Sequence, residues 1–188
     1  ELRAIEVDYV SLPEADEYQL IIDASEAALI NDIQSLNKQI ISRKSGVLHA
    51  GDLKACLFAD HLYEPVFHAA KGSKFQIAPV SLNKSEFQFL DDLRLYIEQY
   101  QKQLESEGIE LFLLRNESRG RGVGFFEAGN FYPDFLLWLV KNGKQNLAFI
   151  EPHGLQHEGP SSKKIEFYRI IKDIQTRLAG DNVVLNSF

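Results

Sequence analysis

Apolar residues recur at Phe87, Leu90, Leu93, Ile97, Tyr100 and Leu104, a spacing that predicts one long amphipathic helix. Asn83 is placed to cap it, Glu86 completes a capping box, and Gly108 ends it. Ile109–Leu114 is an apolar run of strand length. Two further runs, Phe131–Val140 and Gln145–Pro152, read as strands on either side of Asn142-Gly143. A polar stretch, Gly154–Ser162, leads into a second amphipathic pattern over Lys163–Leu178, carried by Ile165, Tyr168, Ile171, Ile174 and Leu178, with Gly180 as its stop. Asn182–Phe188 reads as a last strand. From residue 81 the expected order is therefore helix, three strands, helix, strand. The first eighty residues are less regular. Tyr18–Asp23 reads as a strand, and Ser25 can cap a helix running to about Ser42. Gly51-Asp52 opens a short element reaching Leu62, and a loop holds Pro65, Gly72 and Pro79.

The turn between the two strands also sets their register. A two-residue Asn-Gly loop of type I′ needs positive φ at both positions, which these residues tolerate best. Lys141 then lies opposite Lys144, and counting outward puts Asp134 opposite Glu151, with Cβ atoms roughly 5 Å apart. Strand alternation adds His153 to the same face. Two carboxylates beside runs such as Phe-Leu-Leu-Trp-Leu-Val repel each other and resist desolvation. A divalent cation makes such a pair tolerable.

Composition narrows the class. The chain has 188 residues, 45% of them hydrophobic, enough for one sizeable core with a small appendage. Its single cysteine, Cys56, excludes an internal disulfide and suggests a reducing, cytoplasmic setting. No apolar run is long enough to span a membrane, and no signal peptide is visible at the start. The chain opens at Glu1 and contains no Met, which reads as a fragment of a longer protein. The net charge of −7 argues against a surface that binds polyanions generally. Residues 1–80 carry 7 Lys/Arg against 12 Asp/Glu, whereas residues 81–188 carry 13 against 15. The second half is thus nearly balanced, with its positive charge clustered, which permits a local nucleic-acid contact.

The motif residues read Tyr132-Pro133-Asp134 and then Glu151-Pro152-His153. Around them stand Ser81-Leu-Asn-Lys-Ser-Glu86, Phe112-Leu-Leu-Arg-Asn116, Ser118-Arg-Gly-Arg-Gly-Val-Gly-Phe-Phe-Glu127 and Phe149-Ile-Glu-Pro-His-Gly-Leu155. Leu62-Tyr-Glu-Pro65 and Leu185-Asn-Ser-Phe188 extend the string. Over roughly residues 60–188 this resembles the PD-(D/E)xK nucleases, and within them the C-terminal nuclease domain of restriction-type, type III-like superfamily-2 helicases. The resemblance implies an α/β fold with a restriction-endonuclease-like αβββαβ core and a mixed sheet over residues 81–188, with residues 1–80 as an accessory or connector region. It implies metal-dependent hydrolysis of DNA phosphodiesters, with Mg²⁺ as cofactor and Mn²⁺ able to substitute. No Walker A loop occurs here, so a helicase motor would lie elsewhere in the parent chain. The alternative is a decayed nuclease fold serving as a DNA-binding or assembly module, and RNA remains open as a substrate.

The individual residues divide accordingly. Asp134 and Glu151 are the expected metal ligands, and Glu86 is a further ligand or simply a capping residue. His153 stands where the resemblance implies lysine. A neutral imidazole serves as general base or metal ligand but brings no fixed positive charge at pH 7. Arg119 and Arg121, among the glycines at 120, 122 and 124, suit DNA phosphates or form a plain surface loop. Arg115, Lys163 and Lys164 widen that patch, or, since the first turn of a helix disfavours cations, the lysines are a solvated helix start. Glu127 and His157 are either loop residues or neighbours of the site. Trp138, mid-strand among apolar residues, belongs to the core.

Overall fold

The computed structural model describes residues 19–22, 27–42, 45–57, 66–78, 81–116, 122–125, 131–153, 162–177 and 182–188. It is an α/β protein with, among the described residues, three helices, an antiparallel three-stranded sheet, a mixed four-stranded sheet and a two-stranded pair. The chain divides into two compact units, one holding the described residues up to Phe87 and the other those from Gln88 onward.

In the first unit, β1 (Gln19–Ile22) pairs antiparallel with β5 (Phe75–Ala78). Strands β2 (Gly46–Ala50), β3 (Leu53–Leu57) and β4 (Val66–Ala69) form the antiparallel sheet. Helix α1 (Ala27–Ile41) covers its apolar side. Leu36 from that helix is buried with Ala50, Leu53, Ala55 and Phe67. The expected β1 and α1 are present, whereas the expectation of a loop through residues 65–79 is overturned by β4 and β5. Strand β2 was not foreseen either. Gly51-Asp52 does open a short element, β3, and it also turns β2 into β3, with Ala50 opposite Leu53 and positive φ (55°) at the glycine, as a type II′ hairpin requires; the expected end at Leu62 lies outside the described residues.

Helix α2 (Lys84–Glu107) begins on the predicted capping box. Asn83 Oδ1 accepts the Glu86 N–H at 3.0 Å, and Glu86 Oε2 accepts the Asn83 N–H at 2.7 Å. Gly108 ends the helix with φ of 63°, a conformation that costs a residue with a Cβ. The boundary between the units falls inside the first turn of α2, which continues unbroken into the second.

There the order is β6 (Ile109–Arg115), β7 (Phe135–Lys141), β8 (Lys144–Ile150), α3 (Lys163–Arg177) and β9 (Val183–Ser187). The strands lie in that sequence order in the sheet; β6, β7 and β8 are antiparallel neighbours, and β9 joins β8 in parallel after the α3 crossover. Asn142 (φ 51°) and Gly143 (φ 74°) make the predicted turn, and Lys141 faces Lys144. Leu111, Leu113, Phe135, Leu136, Trp138, Ala148, Phe149 and Leu185 are buried, as are Leu90 on α2 and Ile171 on α3. Trp138 is thus a core residue, as expected. On α3 the predicted stripe is corrected: Tyr168 is 56% exposed and Phe167 is the buried ring. The phase differs because one side of α3 packs on rings from outside the helix, Phe125, Phe131 and Phe149, which no local periodicity reveals.

Candidate metal centre

Beyond the last ladder pair, Phe135 with Ile150, the two chains diverge, and this open end of the hairpin carries the candidate residues. The Asp134 N–H donates to Glu151 Oε1 at 3.0 Å, so the two residues do lie side by side. The Glu151 N–H in turn donates to the Phe188 carbonyl at 2.9 Å, which holds this strand end against the chain following β9. The carboxylates are kept apart by separate partners. Glu151 Oε2 lies 2.9 Å from Lys164 Nζ on α3, whereas Asp134 Oδ2 lies 3.3 Å from His153 Nδ1. His153 reaches that place by a route other than strand alternation. Strand β8 stops at Ile150, and a turn at Pro152-His153 brings the ring back toward Asp134.

Within the second unit, Asp134 and His153 offer ligand atoms 3.3 Å apart, with the Glu151 carboxylate beside them. Two carboxylates and an imidazole form a donor set suited to a divalent cation: hard oxygen for Mg²⁺, with the ring nitrogen favouring Mn²⁺ as a substitute. Glu86, the other expected ligand, belongs to the first unit, where it is 8% exposed and completes the capping box. The described contacts of Glu151 hold the Asp134 backbone and Lys164, and its oxygens keep spare lone pairs for a cation.

Measured against known proteins, the chain matches no family model, no curated protein and no solved structure.

Sequence reasoning missed Asn116. Its amide donates to the carbonyls of Val123 (2.9 Å) and Pro133 (2.8 Å), and its oxygen accepts the Val123 N–H at 2.8 Å. Its own N–H donates to the Asp134 carbonyl at 2.8 Å. One side chain thus ties the end of β6 to both segments that bound the site. An Asn directly after a strand and ahead of a glycine-rich loop was the available signal, because this side chain answers N–H and C=O groups together. Gly124 belongs to the same arrangement: a Cβ there would come within 2.4 Å of the Tyr132 ring. Asn116→Ala is expected to destabilise this unit by about 1–3 kcal/mol, through backbone groups left unpaired, and to weaken Mn²⁺ binding. Urea unfolding followed by Trp138 fluorescence, together with Mn²⁺ titration, checks both. Of the other sequence candidates, Arg119, Arg121, Glu127 and His157 lie outside the described residues, as does the Lys163 side chain. Arg115 is half-buried at the end of β6.

Proposed function

We propose that residues 81–188 are a nuclease domain with a restriction-endonuclease-like αβββαβ core, hydrolysing DNA phosphodiester bonds with a divalent metal. The observation that carries this reading is the group of Asp134, His153 and Glu151, with Asp134 Oδ2 3.3 Å from His153 Nδ1 and Glu151 Oε1 3.0 Å from the Asp134 N, and with Lys164 alongside. The element order from α2 to β9 supports it. A cation bound there would polarise a phosphoryl oxygen and lower the pKa of its water. Asp134 and Glu151 would hold it through oxygen, His153 through nitrogen, and Glu151 also positions Asp134 through the backbone. Arg119, Arg121 and Lys163 are assigned to the DNA backbone, where guanidinium groups bind phosphate bidentately. A helicase motor in the same parent chain would deliver the DNA, in the reducing cytoplasm that the lone, buried Cys56 suits. Among the described residues no helix is long and apolar enough to cross a membrane.

The rival reading, a decayed core serving only in DNA binding or assembly, draws on His153 standing in place of lysine. Calorimetric titration with Mn²⁺ separates the two. The unaltered protein is expected to bind the ion, and Asp134→Ala to bind it about a hundredfold more weakly. Equal affinities would sink the nuclease reading.

A further inference from the structure

We infer that the outer edge of β9 is a self-pairing surface, and that the Gln175 side chain keeps it closed by standing in for a strand. The four-stranded sheet ends at β9, and among the described residues no strand lies beyond it. The Gln145 N–H donates to the Asn182 carbonyl, the Phe188 N–H to the Phe149 carbonyl, and the Glu151 N–H to the Phe188 carbonyl. Residues 182 and 188 therefore turn their backbone groups toward β8. Those groups alternate from side to side along a strand, which leaves Val183, Leu185 and Ser187 facing outward. Gln175, on α3, meets two of these outward groups. Its Nε2 donates to the Val183 carbonyl at 3.1 Å, and its Oε1 accepts the Leu185 N–H. One residue of an added parallel strand would make the same two bonds.

The strand itself carries none of the usual protections of an edge. Val183-Val-Leu-Asn-Ser-Phe188 holds no Lys, Arg, Asp, Glu or Pro, and it leaves Val184 and Phe188 exposed. An uncharged, apolar segment at an open edge invites pairing with a copy of itself. A second chain is the occupant that fits, because a two-fold axis brings two identical edges together as antiparallel neighbours. Gln175 occupies the middle of that template. A primary amide suits the task, since it carries a donor and an acceptor together, as a peptide group does. Lys172, one turn earlier on α3, reaches Asn186 Oδ1 at 3.1 Å, which holds this face of the helix along the strand. None of this depends on the metal centre or on the nuclease reading.

Sedimentation velocity on the whole chain tests this, with Trp138 fluorescence to check that each variant is folded. The unaltered protein is expected at monomer mass. Gln175→Ala should form a discrete dimer, its self-association strengthened on the order of tenfold or more. Gln175→Lys loses the same two bonds but sets a charge on the edge, and is expected to stay monomeric. Adding Ser187→Pro to Gln175→Ala removes an outward N–H and no bond to β8, and should return the protein to monomer. A Gln175 that merely steadied the end of α3 would leave both single variants less stable and monomeric. That pattern overturns the inference, as does a dimer that forms equally in Gln175→Lys or survives Ser187→Pro. Amide exchange in the unaltered protein gives a reading that needs no variant. The Leu185 N–H should exchange at least about tenfold more slowly than the outward Ser187 N–H, and equal rates overturn the inference too.

Discussion

On the nuclease reading proposed above, an Asp134→Ala protein is expected to cleave supercoiled DNA about a thousandfold more slowly than the unaltered chain at a Mn²⁺ concentration that saturates the latter. Three separate contacts meet at this residue. Its carboxylate meets His153, its N–H is held by Glu151, and its carbonyl accepts from Asn116. Alanine keeps both backbone bonds, so the position survives and only the ligand is lost. That makes the substitution specific. A metal that polarises the phosphate and activates water supplies several kcal/mol of barrier reduction, and each 1.36 kcal/mol is about tenfold in rate. Unlike Asn116→Ala, this variant should unfold at nearly the urea concentration of the unaltered protein, since a partly exposed carboxylate near a second acid contributes little to stability. Raising Mn²⁺ further should recover some cleavage through the remaining donors, Glu151 and His153. Cleavage within twofold of the unaltered rate, with a normal unfolding curve, would remove the metal centre from the chemistry.

What could be read from the chain follows how local the physical cause is. The Asn142-Gly143 turn fixes its own φ angles, and pairing propagates from it residue by residue, so the nearness of Asp134 and Glu151 needed no tertiary knowledge. Likewise the ends of α2 were written in Asn83, Glu86 and Gly108. Strands β2, β4 and β5 are four or five residues long and place only two or three side chains on a face, too few to display a period of two. The Gly51-Asp52 turn carried its signal, a glycine in the first position, but without a recognisable strand before it the pair resembled an element start. In the site the limit is similar. The division of labour between Asp134 and Glu151 depends on Lys164 and on Phe188, both supplied by segments distant in sequence. His153 reaches Asp134 through a turn rather than along a strand, so alternation reached the correct neighbour by a mistaken path.

Phe167→Ala is expected to cost about 3–5 kcal/mol of stability. The ring is 2% exposed and meets Phe125 and Phe131, each with centroids 4.6 Å away, and Phe149 at 5.5 Å. Truncation removes the apolar area of one aromatic and also leaves three rings facing a void. Those rings come from a bridge between Phe125 and Phe131 and from β8, whose backbones are already committed to hydrogen bonds and cannot easily close the gap. The cavity term should therefore add nearly in full. Trp138, the single tryptophan and itself buried on β7, reports unfolding of this unit. Its transition should fall by roughly 10 °C, with Phe167→Leu losing less than half as much. There is a consequence for the site as well, because Lys164 lies one turn before Phe167 on α3 and owes its place beside Glu151 to that helix being seated. Phe167→Ala should accordingly lower cleavage at temperatures well below its own transition, while Tyr168→Ala, on the exposed face, changes neither stability nor rate appreciably. A loss under 1 kcal/mol in Phe167→Ala would mean that the aromatic cluster refills the space and that α3 is held chiefly by Ile171 and its contacts with β9.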